Sequence, residues 1–166
     1  MPTSIAFNIR SNSDMRNADS MRILHTESSL GWGGQEHRTF KEAVGLQARG
    51  HEVWIAAPPD ARLLARAQEA GLPVFPIRMR RSTDLSAIRA LRRFMREQRF
   101  DIVNTHSSRD TLLAGLAARL LWHGPTVVRT RHLILPITSR STYSLLPHHV
   151  VAVSEGVRQL LIDSKV

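Results

Sequence analysis

The chain has 166 residues, of which 42% are hydrophobic and 22% are charged, a composition typical of one folded domain rather than of a disordered or fibrous protein. It contains no cysteine, which excludes disulfide bonds and thiolate metal sites and is compatible with a reducing compartment. Its net charge of +9 allows nucleic acid, anionic lipid and phosphorylated ligands as partners, without choosing among them.

Residues 1–20 are polar and lack sustained periodicity, which predicts a disordered N-terminal extension before a domain at 21–166. No apolar run approaches the roughly 18 residues that span a bilayer, and the N-terminus lacks the apolar core of a signal peptide. We therefore expect a cytoplasmic domain that neither spans a membrane nor is exported.

From Met21 onward, short β-rich apolar runs alternate with longer segments of helical spacing. This alternation predicts an α/β fold, a Rossmann-like three-layer sandwich whose mostly parallel sheet has helices on both faces. The predicted strands are 22–26, 52–58, 73–79, 101–106, 125–131 and 148–154. The predicted helices are 35–50, 60–71, 82–100, 109–122 and 155–164.

Several residues predict where these elements begin and end. Gly50 and Gly71 are expected to close the first two helices, and Asp60 and Asp84 to cap the second and third. Prolines place the third strand near an edge of the sheet. The predicted apolar face of the third helix consists of Leu85, Ile88, Leu91 and Met95.

Ligands of such sheets lie beyond the carboxyl ends of the strands, so the residues that follow each strand are the candidates. After the first strand, the loop "GWGG" (31–34) leads into a helix whose free N–H groups favour an anion such as a phosphate. The alternative is that Gly31, Gly33 and Gly34 merely form a tight turn. The third glycine of the dinucleotide fingerprint is missing and Asp60 lies beyond two prolines, so nicotinamide chemistry is disfavoured.

Polar side chains also follow the later strands. After the fourth strand come His106, Arg109 and Asp110, and His106 can donate to a hydroxyl or a phosphate oxygen. A purely structural hydrogen bond is the alternative role for this histidine. His132 follows the fifth strand, and Ser154 follows the sixth, where it could equally be the N-cap of the last helix.

Four motifs, in order, resemble the N-terminal domain of GT-B glycosyltransferases, specifically glycosyltransferase family 4. The stretch "MRILHTESSLGWGGQEHRTFKEAVGLQARGHEVWIAAP" is similar to the opening pattern of that family, with a loop that ends in Gly-Gly-x-Glu. The stretches "FDIVNTHS", "PTVVRTRH" and "VVAVSEGVRQLLI" resemble its later motifs. The likeness covers residues 21–166.

The resemblance implies transfer of a sugar from a nucleotide diphospho-sugar to an acceptor, with retention of anomeric configuration and without a required metal ion or other cofactor. Gly33 and Gly34 would then bring backbone N–H groups to the diphosphate of the donor. His106, as the catalytic residue, would contact the transferred sugar or stabilise charge near the reacting centre. Glu36 would orient the loop or the acceptor. The other candidates for the acceptor side or cleft wall are Arg109, Asp110, His132 and Ser154.

The chain stops at Val166, about where the family passes into a second Rossmann-like domain that binds the nucleotide. We therefore expect the first domain of a longer enzyme, inactive by itself and acting on a lipid-linked or cell-surface glycan such as lipopolysaccharide. The alternative is a stand-alone α/β binding module for a phosphorylated ligand or polyanion, without catalysis.

The arginine-rich segment 78–99 has two interpretations. It could bind an anionic membrane at the inner face of the cytoplasmic membrane, or it could be a solvated charged surface. Nucleic acid is disfavoured as a partner because only 5% of the residues are aromatic and no nucleic-acid motif is present. A metal hydrolase is disfavoured because the eight histidines are scattered, with no H-x-x-x-H pair.

Overall fold

The computed structural model describes residues 19–137 and 139–166. Within them, six parallel strands form one sheet in the order β3-β2-β1-β4-β5-β6. The strands are β1 (Arg22–Thr26), β2 (Glu52–Ala57), β3 (Val74–Pro76), β4 (Ile102–Thr105), β5 (Thr126–Arg131) and β6 (His149–Ala152). The helices are α1 (Gly34–Gln47), α2 (Arg62–Glu69), α3 (Leu85–Gln98), α4 (Ser108–Arg119), α5 (Ser141–Ser144) and α6 (Glu155–Asp163). The predicted α/β Rossmann-like sandwich is confirmed.

The strand order places the candidate ligand edge. β1 lies in the centre and pairs with β2 on one side and β4 on the other. Strands β2 and β3 extend the sheet on one side of β1, whereas β4, β5 and β6 extend it on the other. The loops that follow β1 and β4 therefore diverge. Such a switch point leaves a crevice outside the carboxyl ends of the strands.

Apolar side chains of the central strands pack on both faces of the sheet. Successive side chains of β1 point to opposite faces: Ile23 packs in the cluster that α1 and α2 cover, and Leu24 packs in the cluster that α3 and α4 cover. Helices therefore lie on both faces, as predicted. A smaller cluster joins Tyr143 of α5 to Val157 and Leu161 of α6.

Glycine and capping signals gave most helix ends correctly. Gly50 and Gly71 follow α1 and α2 with φ of +89° and +74°, the left-handed region that glycine adopts without strain. Asp84 caps α3 by accepting a hydrogen bond from the N–H of Ala87 at 3.1 Å. The predicted cap at Asp60 is wrong. This residue is exposed, and α2 begins at Arg62 with Ala61 as its N-cap.

Two other predictions need correction. Leu85 is not on the buried face of α3, because 62% of its surface is exposed, whereas Ile88, Leu91 and Met95 are buried. β3 is shorter than predicted, with Pro73 just before it and Pro76 as its last residue, and it does lie at an edge of the sheet. The four-residue helix α5 is an additional element that local periodicity did not predict.

The predicted disordered extension 1–20 lies outside the described residues except for its last two positions. There the hydroxyl of Ser20 donates to the carbonyl of Gly50 at 2.7 Å. Among the helices in the described part of the chain, none has both the length and the apolar character needed to cross a bilayer.

Candidate functional site

The loop between β1 and α1 is held in shape by two carboxylates. Glu27, which is fully buried, accepts hydrogen bonds from the N–H of Ser29 at 3.0 Å and from Nε2 of Gln35 at 2.5 Å. Glu36 accepts from the N–H of Gly33 at 2.7 Å, which fixes the residue that caps α1. The glycine loop is therefore preorganised by acids on either side of it.

These two acids differ in protonation. Burial and the nearby charge of Asp110 raise the pKa of Glu27 to about 7. Partial burial acts to raise the pKa of Glu36 as well, but hydrogen bonds from Ser29 and Gly33 outweigh it, so this pKa is lowered. At neutral pH, Glu36 carries a negative charge at the helix N-terminus, while Glu27 is partly protonated.

The N-terminus of α4 is fixed by a buried capping box. Asp110 is fully buried and accepts from the N–H of His106 at 2.8 Å and from the N–H of Ser107 at 2.7 Å. It also accepts from the hydroxyl of Thr26 at 3.1 Å and from the hydroxyl of Ser107. Asp110 thus ties the ends of β1 and β4 together, and burial raises its pKa.

Three histidines form a chain across the carboxyl ends of β1, β4 and β5. Nδ1 of His25 lies 3.0 Å from Nε2 of His106, and Nδ1 of His106 lies 3.0 Å from Nε2 of His132. His25 and His106 are buried, whereas His132 is half-buried and connects the chain to the surface.

All three histidines are held neutral. Burial, then the charge of His132, lowers the pKa of His25 to about 4, and burial and Arg38 lower the pKa of His132 to about 4. Burial and the other two histidines hold the pKa of His106 well below its usual range. The ring nitrogens face one another in pairs rather than a common point. Among residues 19–137 and 139–166, no group of three or more His, Cys, Asp or Glu side chains is arranged to hold a metal ion.

A pocket of about 720 Å³ opens at this edge of the sheet, between the N-termini of α1 and α4. Most of the residues that line it have polar side chains: serines, a glutamine, the two loop carboxylates and one arginine. The lining residues are Glu27, Ser28, Ser29, Gly33, Gly34, Gln35, Glu36, Ser82, Ser107, Ser108, Arg109 and Leu133. Such a lining offers hydrogen-bond partners for hydroxyl groups, and two helix N-termini for an anion.

The structure brings half of the predicted site residues to this pocket. Gly33, Gly34, Glu36 and Arg109 line it. The remaining four are Asp110, His106, His132 and Ser154. Asp110 and His106 lie beneath the pocket wall as buried supports.

The last two predicted residues lie farther along the chain. His132 contacts His106 without lining the pocket. The hydroxyl of Ser154 accepts from the N–H of Val157 at 3.3 Å, as the N-cap of α6.

Sequence reasoning missed Glu27, His25 and Arg129. Glu27 directly follows β1, so the strand-end rule that selected His106 could have found it. His25 lies inside a strand, and its contact with His106 depends on the pairing of β1 with β4, which no local pattern reveals. The buried guanidinium of Arg129 lies over the ring of Tyr143, and its charge helps lower the pKa of His106.

The strand order and the crevice at its switch point define a Rossmann-like domain. Residues 32–166 match the model of Glycosyltransferase Family 4, and the chain belongs to that family. No curated protein matches the chain in sequence.

Solved glycosyltransferases share the fold. A glycosyltransferase from Rickettsia africae superposes with a TM-score of 0.73 at 22% identity, over 87% of this chain and 40% of that one. Anabaena Alr3699/HepE in complex with UDP-glucose gives a TM-score of 0.72 at 16% identity, over 87% and 40%.

A third structure is the lipopolysaccharide outer core galactosyltransferase WaaB, with a TM-score of 0.64 at 14% identity, over 89% of this chain and 43% of that one. The resemblance to the N-terminal domain of GT-B enzymes is confirmed, and the chain spans about two fifths of the length of these structures.

Proposed function

We propose that the protein to which this chain belongs is a retaining glycosyltransferase that moves a sugar from a nucleotide diphospho-sugar to a glycan acceptor. The observation that carries the proposal is the pocket of about 720 Å³ between the N-termini of α1 and α4, lined mainly by residues with polar side chains, in a chain of Glycosyltransferase Family 4. Its hydroxyls and carboxylates suit the hydroxyl groups of a sugar, and its helix termini suit a diphosphate.

Gly34 is the better of the two glycines for contact with the diphosphate. The N–H of Gly33 already donates to Glu36, so a phosphate oxygen would have to displace a carboxylate to reach it. Gly34 begins α1, and no atom lies within 4 Å of the position that a Cβ would take there. A phosphate could therefore approach the backbone at Gly34 closely.

His106 acts at the sugar in this proposal, in contact with it or as a support for charge near the reacting centre. Nδ1 of His106 lies 3.0 Å from Nε2 of His132. A sugar hydroxyl could therefore bond to Nδ1 of His106 only if it displaced the ring of His132; otherwise it would bind to His132 instead. In this proposal the position of His132 therefore controls access of the sugar to His106. Because the three histidines remain neutral, His106 offers a neutral imidazole to the sugar. Retention and independence from a metal ion are part of the proposal because the family resemblance implies them.

For the acceptor we propose a lipid-linked or cell-surface glycan such as lipopolysaccharide. The likeness in fold to the lipopolysaccharide galactosyltransferase WaaB is compatible with that choice. We place the protein in the cytoplasm, at the inner face of the cytoplasmic membrane, where the arginines of α3 would face anionic lipid. The structure limits the mode of membrane binding. The apolar face of α3 is buried in the core, so only its charged face could touch a membrane.

The test is transfer activity of the native protein that contains this chain, with UDP-glucose as the first donor and other nucleotide-sugars after it. Gly34→Ala should lower turnover at least tenfold, because the new methyl group occupies the space that the diphosphate needs, while the fold has room for it. Gly45→Ala, on the same helix, is the matched control and should leave turnover unchanged. His106→Asn should abolish transfer.

Absence of transfer and of donor hydrolysis with every nucleotide-sugar would overturn the proposal. Binding of a phosphorylated ligand without turnover would then favour the stand-alone binding module. Equal turnover in the Gly34→Ala variant and the native protein would show that the diphosphate does not bind at this loop.

A further inference from the structure

A second pocket, of about 370 Å³, lies beside the candidate site at the same edge of the sheet. Loops that follow β1, β2 and β3 enclose it, together with the first turn of α4. Three arginines line it, Arg78, Arg80 and Arg109, against one carboxylate, Asp60. Within the described residues, no ion pair joins Asp60 to any of these arginines. The pocket therefore has an excess of positive charge.

The backbone after β3 explains why two of these arginines point the same way. The N–H of Ile77 donates to the carbonyl of Ala57 at 2.9 Å, which extends the sheet beyond the strand. Ile77 and Met79 are buried, at 7% and 3% exposure, whereas Arg78 and Arg80 are exposed. This alternation of period two anchors the segment in the core and turns both guanidinium groups to the same, outer side.

Arg109 connects the two pockets. Its Nη1 donates to the carbonyl of Met79 at 3.4 Å, so that α4 and the segment after β3 are held together. Arg109 and Ser28 line both pockets, which makes the two cavities neighbours with a shared wall. A molecule that reacts in the first pocket could therefore extend into the second.

We propose that the arginine pocket (Arg78, Arg80 and Arg109) binds a phosphate group of the acceptor, so that the acceptor is a phosphate-bearing molecule. The proposal rests on the proposed function, which assigns the first pocket to the donor. Gly33 and Gly34 line the first pocket but not the second, so the second pocket takes an anion separate from the donor diphosphate. Guanidinium groups match phosphate oxygens in charge and in bidentate geometry.

Two sources could supply this phosphate, a lipid-linked diphosphate or a soluble phosphorylated sugar. Leu30 lines the arginine pocket and is 57% exposed, so an apolar chain attached to the phosphate would find an apolar contact there. Inorganic pyrophosphate and farnesyl diphosphate therefore serve as the two probes. The first tests the anion site alone, and the second adds an apolar tail.

The experiment is calorimetric titration of the full chain with each probe. Pyrophosphate should bind saturably, and the double variant Arg78→Ser/Arg80→Ser should weaken its binding at least tenfold. The matched control, Arg92→Ser/Arg93→Ser, removes the same charge from a different surface on α3 and should leave binding unchanged. Tighter binding of farnesyl diphosphate, with the gain lost in Leu30→Ser, would identify a lipid-linked acceptor, and equal affinities would identify a soluble one.

Lack of saturable pyrophosphate binding, or equal weakening by both pairs of substitutions, would overturn the arginine pocket. This readout needs neither donor nor turnover. It can therefore fail while the native protein still transfers sugar, and it can succeed where transfer is absent, so the two proposals are tested separately.

Discussion

Nδ1 of His25 and Nε2 of His106 lie 3.0 Å apart in rings whose planes differ by 4°. Because His106 makes a second contact of the same length with His132, each ring nitrogen pair needs one donor and one acceptor. Neutral rings meet this requirement when each histidine donates from one nitrogen along the chain, and burial, rather than the pairing itself, disfavours an added proton.

The first prediction concerns acid stability. An unfolded histidine takes up a proton near pH 6.5, whereas His25 in the fold does so only near pH 4. The free energy of unfolding should therefore fall as pH drops from 6.5 to 4, with an upper value of about 3 kcal/mol from His25 at pH 4. In the variant His25→Asn, urea denaturation across this pH range should show a smaller fall. An identical slope in the variant and the native chain would contradict a buried neutral His25.

Glu27 should produce the opposite pH dependence. Its pKa is raised to about 7 in the fold, against about 4.5 in the unfolded chain, so the folded state holds a proton that the unfolded state has released. Stability from this group should therefore be lost as pH rises from 4.5 to 7, by at most about 3 kcal/mol.

The variant Glu27→Gln isolates this effect. Gln cannot titrate, yet it can still accept a hydrogen bond from Ser29 or Gln35. The difference in unfolding free energy between variant and native chain should shift in favour of the variant as pH rises through this range. A difference that stays constant with pH would show that Glu27 ionises normally.

The buried cap at Asp110 should matter far more to stability than the surface cap at Asp84. Asp110→Ala leaves the N–H groups of His106 and Ser107 and the hydroxyl of Thr26 without their acceptor inside the protein. We expect a loss of at least about 3 kcal/mol, since each unsatisfied buried donor costs about 1 to 3 kcal/mol.

Asp84→Ala is the comparison variant, because it too removes a carboxylate that accepts from a backbone N–H at a helix N-terminus, here the partly exposed N-cap of α3. It should cost about 1 kcal/mol. Equilibrium urea denaturation of both variants gives the comparison. Similar losses in the two variants would mean that Asp110 is an ordinary cap and not a link between β1 and β4.

The sequence predicted what depends on local patterns. Alternating periods gave the parallel sheet, glycines gave the ends of α1 and α2, and the strand-end rule led to Gly34 and Arg109, which do line the pocket. The prediction of an N-cap at position 60 was wrong because residues 58–61 form a turn before the helix begins. In this turn the N–H of Ala61 donates to the carbonyl of Pro58 at 2.9 Å.

What the sequence did not predict depends on contacts between distant segments. His25 and His106 are 81 residues apart, and only the pairing of β1 with β4 brings them together. The role of Asp110 likewise comes from its burial beside Thr26, 84 residues away. Local periodicity carries no information on such pairings, so the buried supports of the pocket wall became visible only in the fold.

The last prediction concerns the outer face of α3, where Arg89, Arg92, Arg93 and Arg96 lie side by side on one surface. If this face binds anionic lipid, cosedimentation of the full chain at low salt should be strong with vesicles that contain phosphatidylglycerol and weak with neutral phosphatidylcholine. Added salt should weaken the binding, because the Debye length falls to about 10 Å at 0.1 M.

Charge reversal locates the binding surface. Arg92→Glu/Arg93→Glu should abolish cosedimentation with anionic vesicles. Lys41→Glu/Arg49→Glu, the same change of charge on α1 and in the turn that follows it, should leave most of it. The apolar side of α3 is already buried against the sheet, so the binding should be purely electrostatic and reversible by salt. Equal binding to neutral and anionic vesicles, or equal effects of the two double variants, would show that this arginine face is a solvated surface and not a membrane-binding one.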